Sequence, residues 1–140
     1  MSTQISMPQW AIIYLIAVAA FLIIDGAWLT VVMKPLFTDM LGDMLRSPIS
    51  LAPAAGFYVL YVAGILFLAV APALASGNWV DAAVRGAALG LLAYGTYDMT
   101  NLATLKGYKV SVAFLDTGWG GAVTAFTASV GFFAARWVTS

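Results

Sequence analysis

The sequence predicts an all-α polytopic membrane protein, a bundle of four transmembrane helices, on three observations. Of the 140 residues, 63% are hydrophobic and 9% are charged, whereas soluble domains run at about 45–50% apolar and about 25% charged. A soluble fold of this size could not cover so much apolar surface. The apolar residues also gather into four stretches, at about 8–32, 53–74, 79–105 and 110–138. At about 1.5 Å per helical residue, each can cross roughly 30 Å of hydrocarbon. The junctions between the last three are short, so neighbouring crossings run antiparallel and residues 1–140 make one domain.

The opening Met-Ser-Thr-Gln-Ile-Ser lacks the basic segment of a secretory signal, and the apolar run after it is too long for a signal core. It reads as a retained first helix, with Pro8 in the first turn, where its missing N–H is not needed. Between the first two crossings, Leu36, Phe37, Met40, Leu41, Met44 and Leu45 recur at helical spacing, with Asp39, Asp43 and Arg46 opposite. That pattern fits a short helix in the interface plane. A lid packed back over the bundle mouth is the other way to bury the same face.

The second crossing carries no charge, and Pro72 should kink or stop it. The third is the least apolar. Asn78 suits its N-cap, and Asp81 and Arg85 are spaced to pair on one face. The fourth holds Asp116 early and Arg136 at its exit.

Three aspartates lie within or at the edges of these segments: Asp25, Asp98 and Asp116. Alternating crossings bring all three to one membrane depth, near the end that carries Lys34, Arg46, Lys106 and Lys109. Arg85 and Arg136 lie at the other end. The positive-inside rule makes the lysine-bearing end cytoplasmic and leaves both termini outside.

An ionisable side chain at the centre of a spanning helix costs about 2.5–3.5 kcal/mol on insertion scales, so such groups face a protein interior or a wet cavity. Two of the three acids have a tryptophan three residues on, in Asp25-Gly-Ala-Trp28 and Asp116-Thr-Gly-Trp119. In the third crossing Gly86, Gly90, Tyr94, Asp98 and Asn101 share a stripe, with Tyr97 beside it. Gly86-Ala-Ala-Leu-Gly90 lets helix backbones approach closely, and Gly121 and Ala125 offer a matching face in the fourth. Three acids with no intramembrane base must relieve their repulsion. A shared proton or a bound cation would do so, as would Lys34, Lys106 or Lys109 reaching inward from the loops.

The candidate ligand, proton or cation site is therefore Asp25, Trp28, Tyr94, Tyr97, Asp98, Asn101, Asp116 and Trp119. Interhelical hydrogen-bond glue and an interfacial aromatic belt account for the same residues without a ligand. Tyr58 and Tyr61, with Tyr14, read as packing or interface aromatics. The acids are all aspartate, and there is no histidine or cysteine. That composition excludes disulfides, Cys/His zinc sites, haem ligated by histidine or cysteine, and thiol or imidazole catalysis. No resident metal or cofactor is assigned. Six basic against six acidic residues give no field for nucleic acid. Gly118-Trp-Gly-Gly121 is not a dinucleotide fingerprint, because no strand precedes it.

The run from Tyr94 to Gly107, Tyr-Gly-Thr-Tyr-Asp-Met-Thr-Asn-Leu-Ala-Thr-Leu-Lys-Gly, resembles a bacterial membrane family, domain-of-unknown-function family 2177. Asp25-Gly-Ala-Trp28 and Asp116-Thr-Gly-Trp-Gly120 fit its pattern too, so the likeness covers nearly the whole chain. The resemblance implies a four-helix protein of the bacterial inner membrane and supplies no activity.

Three function classes fit these readings. One is a ligand or ion site in the bundle, with a homodimer expected for a carrier, since four helices are few. Another is a structural or accessory subunit of a larger membrane complex. The last is a lipid-acting membrane enzyme using aspartates as acid and base or as Mg²⁺ ligands, although the aspartate-rich run of isoprenoid-diphosphate enzymes is missing. The lipid bilayer is the one partner common to all three.

Overall fold

A computed structural model describes residues 4–140; the first three residues of the uncharged N-terminal stretch lie outside the described residues. The described chain is helical, without strands. Helix α1 spans Met7–Ala27, α2 Lys34–Leu41, α3 Leu51–Ile65, α4 Ala71–Ser76, α5 Trp79–Thr104 and α6 Val110–Thr139.

The start of α1 is fixed by a reciprocal cap. The Gln9 backbone N–H donates to the Ser6 hydroxyl at 3.3 Å, and the Ser6 N–H donates to the Gln9 side chain at 2.9 Å. Pro8 sits in this first turn, as the sequence predicts. At α5, Asn78 caps the Val80 N–H at 3.0 Å, and Arg85 pairs with Asp81 at 3.1 Å.

Two expectations about prolines and breaks are corrected. The segment after α1 does not break away as a separate interfacial helix. A π-helical turn, Trp28–Met33, carries α1 directly into α2, giving one helical stretch from Met7 to Met44. Of the kink or stop expected at Pro72, the stop does not occur: a second π turn, Leu66–Val70, joins α3 to α4. Each π turn ends just before a proline, Pro35 or Pro72. A proline inside a helix removes one N–H and crowds the carbonyl four residues back, and widening the preceding turn relieves both problems.

The lid is the reading the packing supports for α2. Leu36, Phe37 and Met40 pack on a small core of Met33, Tyr108, Val112 and Ala113, over the α5–α6 connection. Lys109 Nζ pairs with Asp39 at 3.3 Å on the outside of this contact.

The centre of the bundle is α5 against α6, antiparallel, with small residues in the seam. A Cβ at Gly86 would sit 2.7 Å from the Thr124 carbonyl oxygen. One at Gly90 would collide with the Gly120 carbonyl, and one at Gly120 would collide with the Tyr94 ring. Gly121, by contrast, faces Leu91 and Ala87, so the tightest register falls one residue earlier than the sequence suggests. Around this seam, α1 packs on α6, and the α3–α4 stretch packs on α1 and α5. Ile13, Phe21, Val62, Ile65, Val123 and Phe132 form the core.

At the far end from α2, Gln9 Nε2 donates to the Val138 carbonyl at 3.1 Å and Arg136 Nη2 to the Gly77 carbonyl at 3.0 Å. Gly77 closes α4 at φ +75°, a left-handed C-cap that favours glycine.

Three helical stretches are long and apolar enough to cross a membrane: Met7–Met44, Leu51–Ser76 and Val110–Thr139. At 26 residues α5 has the length but not the apolar content to join them. Its inward side is made of Ala82, Gly86, Gly90 and Asp98, whereas Val84 and Leu92 face outward.

Candidate functional site

Asp25 is placed at the end of α1, one turn before the chain widens into the π turn; Asp98 comes from α5 and Asp116 from the second turn of α6. Their side chains all point into the protein, at 1%, 0% and 5% exposure. The tryptophan three residues after Asp25 or Asp116 does not serve its own neighbour. Trp28 Nε1 donates to Asp116 Oδ1 at 3.0 Å, and Trp119 Nε1 donates to Asp25 Oδ1 at 2.9 Å. Because α1 and α6 run antiparallel, the two Asp-x-x-Trp turns meet head to tail. Their indoles stack between them, with centroids 4.4 Å apart and planes 5° from parallel. Each helix thus offers the other one donor and one acceptor.

All three acids are buried together, but they divide by their hydrogen-bond partners. Among the described residues no three acidic side chains lie close enough to hold a metal ion. The stacked indoles separate two sub-sites. In one, Asp25 Oδ1 also accepts from the Tyr94 hydroxyl at 3.0 Å, while Oδ2 is buried and accepts no hydrogen bond. The Tyr58 hydroxyl adjoins this carboxylate without forming a hydrogen bond of good geometry.

In the other sub-site, Asp98 and Asp116 are direct neighbours. The Asp98 carboxylate accepts from the Tyr108 hydroxyl at 2.7 Å and, at the limit of bonding distance, from the Thr117 hydroxyl at 3.5 Å. Adjacent carboxyl groups can share one proton.

No lysine reaches inward to neutralise the acids. Lys34, Lys106 and Lys109 are all exposed. The residue that tucks in from the α5–α6 connection is Tyr108, between two of them, at 7% exposure. Burial, with Asp98 beside it, raises the Tyr108 phenol above its ordinary value. It therefore remains a donor throughout the physiological range. A raised phenol supports the fold below its ordinary pKa of 10.0 and loses that support as pH climbs toward its folded value. Tyr108→Phe should accordingly cost about 1–3 kcal/mol at neutral pH, because it strands Asp98 Oδ1. The wild-type minus Y108F difference in tyrosinate absorbance should develop only beyond the range of a free phenol. A difference that titrates normally would contradict the burial of this hydroxyl.

Of the other residues singled out from sequence, Tyr94 joins the Asp25 sub-site, whereas Tyr97 is 52% exposed and stands at a rim. Asn101 adjoins the Tyr97 and Tyr108 hydroxyls rather than an aspartate. Tyr108, Thr117 and Tyr58 were not candidates from sequence. Thr117 carries a signal, since it follows Asp116 within the motif and the helical rotation turns it toward α5, where a Cβ on Gly95 would meet it at 3.3 Å. Tyr108 carries none, because a tyrosine between two lysines reads as a loop residue. Tyr61 is tied to α6 through Thr124, their hydroxyls 2.8 Å apart.

Beside these sub-sites lies a cleft of about 370 Å³ between α1–α2, α3 and α5, with Asp116 in its wall. The rest of its lining is carbon and tyrosine.

A family model described as a predicted membrane protein (DUF2177) matches residues 10–133. The chain belongs to this family. The DUF2177 match takes in all three aspartates, both Asp-x-x-Trp turns and Tyr108. No curated protein and no solved structure matches the chain.

Proposed function

We propose that this DUF2177 protein binds a small ligand within the bilayer, in the cleft that reaches Asp116. The observation that carries the reading is the cleft itself. Its volume of about 370 Å³ falls within the range of about 300–1,000 Å³ usual for small-molecule pockets. It has mostly apolar walls and one carboxyl group, held by the Trp28 indole N–H, and it adjoins the two buried sub-sites.

In this reading the chain crosses the inner membrane four times, with α5 as a true crossing. Its polar content is turned inward onto α6 while Val84 and Leu92 meet the lipid. Lys34, Arg46, Lys106 and Lys109 mark the cytoplasmic end, and both termini lie outside. Asp98, Asp116, Tyr108 and Thr117 provide a proton-holding pair next to the ligand.

Native mass spectrometry of protein extracted in mild detergent tests this. Wild-type protein should retain a small-molecule adduct that is lost from Asp116→Asn and reduced in Tyr94→Phe, with both variants folded by circular dichroism. Identical adducts on all three would overturn the reading. So would stoichiometric co-elution with a partner protein whose side chains occupy the cleft.

A further inference from the structure

Resting on the cleft as a ligand site, we propose that its ligand is a lipophilic organic cation, a quaternary or protonated ammonium (or an equivalent onium) bearing apolar substituents. Six aromatic side chains line the cleft: Phe37, Phe57, Tyr58, Tyr61, Tyr94 and Tyr97. A cation over an aromatic face within about 6 Å is attracted by the ring quadrupole, and the attraction grows when the pair is shielded from water. The one carboxyl group in the lining is that of Asp116, and no lysine or arginine contributes.

Behind the tyrosine wall stands a second acid. Asp25 bonds Tyr94 and adjoins Tyr58, and its Oδ2 is buried without a hydrogen-bond donor. Two carboxyl groups on one side of an aromatic cage, with no basic side chain in its lining, disfavour an anion and favour a positive head.

The alternatives fit less well. A small inorganic cation needs a shell of about six or more oxygens. The cleft walls are mainly carbon, and no acidic trio is assembled among the described residues. A neutral polar ligand finds fewer partners than the four tyrosines suggest, because the Tyr94 hydroxyl already serves Asp25 and the Tyr61 hydroxyl is engaged with Thr124, and it would leave the aromatic faces unused. Bulky hydrocarbon substituents suit the remaining surface. The rim residues Phe57 and Tyr97 are 58% and 52% exposed, which gives the opening an apolar edge that a membrane-partitioning molecule can cross.

The test compares two probes of one shape and opposite charge, tetraphenylphosphonium and tetraphenylborate, by equilibrium dialysis against purified protein in non-ionic detergent. Empty micelles serve as the blank. Tetraphenylphosphonium should bind saturably and tetraphenylborate should not. Asp116→Asn should weaken the cation at least about tenfold, and Tyr97→Leu by several-fold, since each removes an interaction worth on the order of 1 kcal/mol or more. Should Asp116→Asn fail to fold, Tyr97→Leu at the exposed rim and the charge comparison on wild type still decide the matter. Equal or tighter binding of tetraphenylborate would overturn the cation while leaving the cleft as a site. Cation binding unaffected by either variant would overturn its location. Saturable binding of neither probe overturns the cation proposal, and if wild-type protein also carries no adduct, the site falls with it.

Discussion

Gly90→Ala should abolish the folded bundle, the largest effect expected of any single methyl group in this chain. The new Cβ would be driven into the Gly120 carbonyl, with Thr124 Oγ1 at 2.7 Å on its other side. Extra atoms in a packed core typically cost about 1–3 kcal/mol, and more where the neighbour cannot move. Here the neighbour is helix backbone, so relief requires α6 to shift as a body. That shift would drag Asp116 and Trp119 away from Trp28 and Asp25.

Two internal controls separate this from a general effect of alanine. Gly64 and Gly118 are also helical, and a Cβ at either meets nothing within 4 Å. Alanine there should be neutral or stabilise by up to about 1 kcal/mol, through helix propensity alone. Thermal unfolding followed by circular dichroism in detergent reads all three variants. A Gly90→Ala protein that melts with wild type would show that the α5–α6 seam is looser than this geometry requires.

The seam illustrates what the sequence could convey. Gly86-x-x-x-Gly90 announces close approach between helices, because nothing else explains two glycines at that spacing in a helical segment. It does not announce the partner residue, since Gly120 and Gly121 are adjacent and a single helical step decides between them. The ends of α5 and α6 were readable for a local reason: Asn78 caps its own helix, and the turn between them contains Gly107 at φ +81°. The α1–α2 junction was not, because two opposing tendencies meet there. Pro35 argues for a break, while the apolar face of Leu36, Phe37 and Met40 gains from continuing over Tyr108. That second term comes from residues some seventy positions away.

The acids divide in the same way. Their inward direction follows from the cost of exposing a carboxylate to lipid, and their shared end of the molecule from the antiparallel run of α1, α5 and α6. Their grouping into two sub-sites depends on the stacked indoles, whose cross-helix bonding is a property of the antiparallel register. Each Asp-x-x-Trp turn read alone places the tryptophan near its own aspartate. Only the pairing of α1 with α6 exchanges them.

That exchange leads to an unequal pair of substitutions. Trp119→Phe should destabilise the protein by roughly 2–3 kcal/mol, because it leaves a buried carboxylate short of a donor. Asp25 is 1% exposed, its Oδ2 already lacks a partner, and only the Tyr94 hydroxyl would remain on Oδ1. Trp28→Phe removes the corresponding bond to Asp116, but that side chain borders the cleft, where water can replace the indole N–H. Its cost should stay near about 1 kcal/mol. Both variants lose part of the indole stack, so the double variant should fall short of additivity by about 0.5–1.5 kcal/mol, the usual worth of an aromatic pair. The asymmetry itself arises from the stranded carboxyl oxygens of Asp25. Adding Asp25→Asn should therefore recover stability in the Trp119→Phe background and not in the Trp28→Phe one. Equal losses from the two tryptophans, or a rescue by Asp25→Asn that ignores which tryptophan is missing, would mean the indoles act through packing alone and the crossed hydrogen bonds contribute little.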